Sequence, residues 1–249
     1  MPSTPSSFYF SLKRFNRSSA PGLPILMYHQ IQRPPLRGQN RGLCVSPALF
    51  RTQIRELASA GYSPASLDDF PLKDDTRRIV ITFDDGFLNT LENALPVLRQ
   101  HRWPAIQFLV VDRQTNTWDV PPGGKPVPLM NDDHVREWLA AGQEIGAHTL
   151  THPHLTQISP TRAREEIFSS KKSLEDRFQI PVRHFCYPYG DQNDDIRELV
   201  QAAGYQTACS TISGLNTNQT DPFLLHRHMA RHKKPAWAAA FRFLPANWW

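Results

Sequence analysis

One segment, Arg78-Ile-Val-Ile-Thr-Phe-Asp-Asp-Gly-Phe87, constrains the fold of this chain more than any other. Ile79, Val80 and Ile81 form a short β-branched run that Phe83 closes, of the kind buried in a parallel sheet. The run stops at two adjacent carboxylates, Asp84 and Asp85, and a glycine. Successive side chains of an extended chain point to opposite sides, so the two acids are placed to serve different partners. Gly86 allows a sharp turn and leaves room for a ligand close to the main chain. Residues 88–101 then read as a helix, which sets the acids at a strand-to-helix junction, where the chemistry of α/β folds collects.

Strand and helix signals alternate along the rest of the chain. Residues 23–28 read as a first strand ending at His29. Ser46-Pro47 is an N-cap followed by proline at the first helical position, and Phe50, Ile54, Leu57 and Ala58 share a face until Gly61. Residues 66–70 read as a short helical turn and 104–111 as a strand. The connection 112–129, containing Pro121-Pro-Gly-Gly124, has the length of a binding loop. Asn131 caps a helix that turns Val135, Trp138 and Leu139 inward and ends at Gly142. A strand at 144–147 follows. Ser159-Pro160 opens a helix with Ala163, Ile167, Ser170, Leu174 and Phe178 in one stripe. Residues 182–187 form a strand, Asn193 opens a helix through Ala203, and strands at 205–210 and 223–230 complete the pattern. About seven such units, with no internal repeat, predict a parallel sheet closed into a barrel.

His148-Thr-Leu-Thr-His152 follows the strand at 144–147 and carries two imidazoles at i and i+4. On one helical turn such side chains lie about 5–6 Å apart at Cβ. Together with a carboxylate they complete a two-histidine, one-carboxylate face with open positions for water.

Thr82-Phe-Asp-Asp-Gly86 and His148-Thr-Leu-Thr-His152 together resemble the polysaccharide deacetylase family, the NodB-homology carbohydrate esterases. Cys186-Tyr-Pro-Tyr-Gly190 and Leu26-Met-Tyr-His-Gln-Ile31 extend the resemblance, which spans about residues 23–230 with the motifs in the family's order. It implies a distorted (β/α) barrel of about seven parallel strands in a single domain at 23–232, between a flexible extension at 1–22 and a C-terminal helix and tail at 233–249. It also implies metal-dependent removal of N-acetyl groups from an amino-sugar polysaccharide or glycan intermediate, with acetate released. The alternatives are an O-acetyl esterase on an acetylated glycan and a non-catalytic carbohydrate-binding protein on a retained barrel.

Carried over position by position, the resemblance makes Asp85, His148 and His152 the ligands of a divalent ion. Zinc suits the nitrogen-rich set, and cobalt, nickel or iron also fit it. The ion would acidify a water, Asp84 would take that water's proton, and the Tyr189 backbone N–H would meet the developing oxyanion. Cys186 departs from the commonest family form, which has an arginine there to pair with the base. Arg227, in Leu225-His-Arg-His228, is the candidate replacement, at the mouth of the last strand. The early Tyr28-His29 resembles the branch that contains poly-N-acetylglucosamine deacetylases. It makes His29 the acid for the leaving amine, reaching it from the side opposite Asp84, in preference to His226 or His228. Trp118 and Asp119 are candidates for stacking a sugar ring and binding a hydroxyl, and Tyr189 joins them at the substrate. His154 reads as an extra polar loop residue and His184 as structural.

Composition narrows the classes further. Net charge is +5 with scattered lysines and arginines and no nucleic-acid module, so no nucleic-acid partner is expected. Three cysteines without a Cys-x-x-Cys pair read as free thiols. No apolar run approaches the ~18–20 residues of a membrane span. The Ser- and Pro-rich start lacks a signal-peptide pattern, which predicts a cytoplasmic protein, with envelope association kept open. Trp237, Phe241 and Leu244 would give the tail a peripheral membrane contact, although a helix docked on the barrel is favoured.

Overall fold

The computed structural model describes residues 22–35, 42–71, 77–120 and 124–230. The expectations for the N-terminal extension and for the tail with Trp237, Phe241 and Leu244 lie outside these residues. Seven parallel strands form one curled sheet: β1 Ile25–Tyr28, β2 Arg78–Phe83, β3 Ile106–Leu109, β4 Glu144–Ala147, β5 His184–Cys186, β6 Thr207–Cys209 and β7 His228–Met229. β1 to β6 lie in chain order, each beside the next, and β7 returns to pair with β1 through Leu26↔His228 and Met27↔Met229. Just before β7, Leu225 bridges Cys209 of β6 in parallel. One short segment therefore ties both edges together, giving the expected distorted barrel. A further strand, Ser63–Pro64, pairs with the base of β2 outside the ring.

The two faces of the strands bury different cores. Leu23, Ile25, Val80, Ile106, Phe108, Cys186, Cys209 and Leu225 form one cluster with Ala65 and Leu67. Leu26, Tyr28, Ile79, Ile81 and Phe83 belong instead to the larger core under the helices, with Phe50, Ile54, Trp138, Ile167 and Leu174. Strand β2 alternates between them, which is why Ile79, Val80 and Ile81 read as an unbroken apolar run.

The helices are α1 Pro47–Ser59, α2 Leu88–Asn93, α3 Leu95–His101, α4 Asp132–Ala140, α5 Pro160–Phe178 and α6 Asp194–Ala202. Ser46, Asn131, Ser159 and Asn193 cap four of them through their side-chain oxygens, as expected. The helix expected over 88–101 is two helices that meet at Ala94. Pro96 has no N–H to give the Glu92 carbonyl, so the ladder breaks there. The last strand is also shorter than 223–230, because Leu224 N–H and Phe223 N–H both turn back to Asp221. No helix among the described residues is long and apolar enough to cross a membrane.

Candidate active site

The register of the sheet assembles the site at the C-terminal ends of the strands. Tyr28 lies opposite Phe83, so His29 and Asp84 leave adjacent strands side by side. The His29 Nε2 is 3.9 Å from Asp84 Oδ2, beside the carboxylate and not across from it as expected. Asp84 N–H donates to the Tyr28 carbonyl (2.9 Å). Its side chain continues the side of β2 that carries Val80 and Thr82, and there it meets Arg227. The guanidinium holds the carboxylate in a two-pronged fork, Nη1 to Oδ1 at 2.7 Å and Nη2 to Oδ2 at 2.8 Å. Arg227 also donates from Nε to the Ser210 carbonyl (2.9 Å) and from Nη1 to Thr82 Oγ1 (3.1 Å). The Cys186 Sγ lies 3.0 Å from Arg227 Nη2, and a small thiol at that position leaves space for the guanidinium.

Arg227 thus supplies the arginine that Cys186 lacks, by a route other than the strand's mouth. Because His228 stands opposite Leu26, Arg227 leaves the chain low in the barrel and reaches up to Asp84 with its side chain fully buried. Burial pushes the Asp84 carboxyl up. The charge and hydrogen bonds of Arg227 more than offset that, holding it below the usual carboxylate range.

Asp85 takes the other direction. Its φ of 75° and that of Gly86, 85°, turn the chain out of β2, and a Cβ at Gly86 would also press on Leu109 at 3.1 Å. Asp85 Oδ1 then lies 3.4 Å from His148 Nε2 and 3.3 Å from His152 Nε2, all three residues being buried. The imidazoles do not share a helical turn, as their spacing had suggested. They lie in a loop folded by left-handed residues Thr149 (φ 67°) and His152 (φ 63°), with the rings 4.9 Å apart. Glu166 of α5, which sequence reading passed over, fastens this loop through Leu150, Thr151 and the Thr151 hydroxyl.

Hydrogen bonding tests whether these residues suit a metal. The His148 Nδ1 lies 2.7 Å from the Cys186 carbonyl, which can only accept, so Nδ1 carries the proton. In the neutral ring, Nε2 then presents its lone pair to the Asp85 carboxylate. Two acceptors facing each other repel unless a cation stands between them. Burial lowers the His152 pKa and favours its neutral, ligating form. The three ligand atoms lie within 4.8 Å of one another, and the set fits a divalent cation.

Tyr189, His154 and Trp118 stand around this centre. Tyr189 takes a left-handed backbone (φ 60°) and is 40% exposed as a residue, its ring edge-on to His152 at 4.6 Å. His154, read as a plain loop residue, stacks flat on that ring at 3.9 Å. Trp118 stacks on His152 (4.4 Å), so one indole face is committed to a metal-ligand candidate. The Asp119 pKa is raised by burial and by repulsion from Asp85. His226 and His228 lie against the 213–214 turn: Ser213 Oγ is 3.0 Å from His228 Nδ1, and a Cβ on Gly214 would strike the His226 ring. His184 is structural, bonded to Thr207 at 2.9 Å and Asp68 at 3.2 Å below the barrel.

The sequence model of one family, described as polysaccharide deacetylase, matches residues 72–208, more than half of the chain. The chain belongs to the polysaccharide deacetylase family. Its Asp84, Asp85, His148, His152 and Tyr189 fall inside the match, whereas His29 and Arg227 fall outside it. YxkH of Bacillus subtilis, named as a polysaccharide deacetylase, is 26% identical over 214 residues, 82% of this chain and 70% of that protein. The poly-beta-1,6-N-acetyl-D-glucosamine N-deacetylase of Escherichia coli is 22% identical over 80% of this chain, which spans 35% of that relative's length. A polysaccharide deacetylase structure from Bacillus cereus superposes with a TM-score of 0.72 at 27% identity, covering 88% of this chain and 68% of the other.

Proposed function

We propose that this protein is a divalent-metal-dependent N-deacetylase, with zinc as the ion, that hydrolyses the acetamido group of an amino sugar within a glycan. The observation that carries the reading is the Arg227–Asp84 fork set beside Asp85, His148 and His152. A divalent cation held by those three residues supplies Lewis acidity to a water and to the acetyl carbonyl. Asp84, kept ionised and aimed by Arg227, takes the proton from the attacking water. The Tyr189 N–H donates to the oxygen on which negative charge develops. His29 gives a proton to the nitrogen as the C–N bond breaks, leaving acetate and a free amine. Asp119 and the ring of Tyr189 orient the sugar, and Trp118 steadies His152 with one face. Poly-beta-1,6-N-acetylglucosamine and peptidoglycan N-acetylglucosamine, the substrates in relatives' names, are the glycans of first choice.

Elemental analysis and acetate release test this together. One divalent ion per chain and acetate from N-acetylglucosamine oligomers, abolished by chelation and restored by zinc, are expected. Asp85→Ala and His148→Ala should lose most metal affinity. Wild-type metal occupancy in both variants would sink the ligand assignment.

A further inference from the structure

We propose that Glu166, on α5, is the positioning residue that holds the two-histidine loop in its metal-ligating shape. This rests on the metal reading above. Thr149 and His152 both take left-handed backbones, which are strained outside glycine and persist only where the surroundings enforce them. On one side, the loop is tied to the chain around the end of β3: His148 N–H donates to the Leu109 carbonyl, and the Thr149 and Leu150 carbonyls accept from Val111 and Asp112.

On the other side stands Glu166, fully buried. Its Oε2 accepts from the successive N–H groups of Leu150 (2.8 Å) and Thr151 (2.9 Å). Its Oε1 accepts from the Thr151 hydroxyl (2.6 Å) and from Arg162 Nη2 (2.7 Å). Two successive N–H groups aimed at one oxygen are incompatible with an extended chain, so the carboxylate selects the bent form. His148 and His152 flank the clamped pair, and their imidazoles converge because of that bend. Without Glu166, two amides lose their acceptor and the strained residues lose what enforces them. Glu166 reaches no metal-ligand atom itself and acts through the loop.

The test compares Glu166→Ala, Glu166→Asp, Glu166→Gln and Arg162→Ala in the full chain. Zinc affinity is measured by competition with a chromophoric chelator, and kcat and KM on an N-acetylglucosamine oligomer. Amide exchange is followed at Leu150 and Thr151 with and without zinc. The alanine and the shortened aspartate variants should lose about 10–100-fold in zinc affinity, the range seen when outer support that orients a ligand is removed. They should also lower kcat with KM little changed, and speed exchange at both amides. Glu166→Gln keeps an oxygen for both N–H groups and should stay within a few-fold, as should Arg162→Ala. Unchanged affinity and exchange in the aspartate variant overturn the proposal, even if the alanine variant fails to fold. An equal loss in Glu166→Gln also overturns it, because charge would then matter and position would not. If the wild type binds no zinc, the metal reading fails, and exchange at the two amides alone decides this inference.

Discussion

A carboxylate buried as deeply as Asp84 is tolerated only when its charge is met in full, and Arg227 meets both oxygens. Asp84→Asn keeps the shape but cannot take a proton, so it should retain the metal while kcat falls by roughly 10²–10⁴-fold. A kcat within a few-fold of wild type would show that Asp84 is not the base. Arg227→Ala leaves the charge unpaired and should destabilise the fold by about 3–5 kcal/mol. It should also move the acid limb of the rate profile upward, because Asp84 would lose what holds its pKa down. Arg227→Lys should rescue little, since one ammonium cannot reproduce the fork. His29→Ala should abolish turnover of the N-acetyl amide yet spare an activated acetyl ester, whose leaving group needs no proton; Arg227→Ala should damage both. His226 and His228 flank Arg227 along the chain and lie against the 213–214 turn, so normal amide turnover in His29→Ala, with loss in either late-histidine variant, would refute the assignment.

At the scale of the elements, His184 is buried at the foot of β5, with Nδ1 beside the Thr207 hydroxyl and Nε2 beside Asp68. Burial brings its pKa down to about 4, against the pull of Asp68. The unfolded chain, titrating at about 6.5, binds a proton that the folded chain refuses, so stability is complete above that value and is lost as pH falls toward 4. Melting temperature should therefore fall more steeply between pH 6.5 and 4.5 in the wild type than in His184→Gln, and parallel profiles would refute the account. Much of this architecture was legible in the residues. The β-branched run before Asp84 and the caps at Ser46, Asn131, Ser159 and Asn193 are local chemistry, and local chemistry is what a sequence displays. The shape of the His148–His152 loop was not legible. Threonine and histidine rarely take left-handed backbones unaided, and the acceptor that stabilises this bend sits on a helix further along the chain. Arg227 could be named as a partner for Asp84, but its approach from below depends on the register of β7 against β1.

For the molecule as a whole, the ring is narrow. A Cβ on Gly146 of β4 would sit 2.6 Å from the Phe108 ring and 2.8 Å from the His184 carbonyl. Gly146→Ala should cost about 1–3 kcal/mol by overpacking, read as a lower denaturant midpoint, and an unchanged midpoint would mean that the barrel has slack. Arg227 follows Asp84 by 143 residues, so a ribosome has made almost all of the barrel before the counter-ion exists. Until residues 225–229 dock, the nascent sheet holds an uncompensated acid and an open seam, and it must stay wet or protonated there. The segment that seals the barrel is therefore also the one that brings Asp84 its counter-ion.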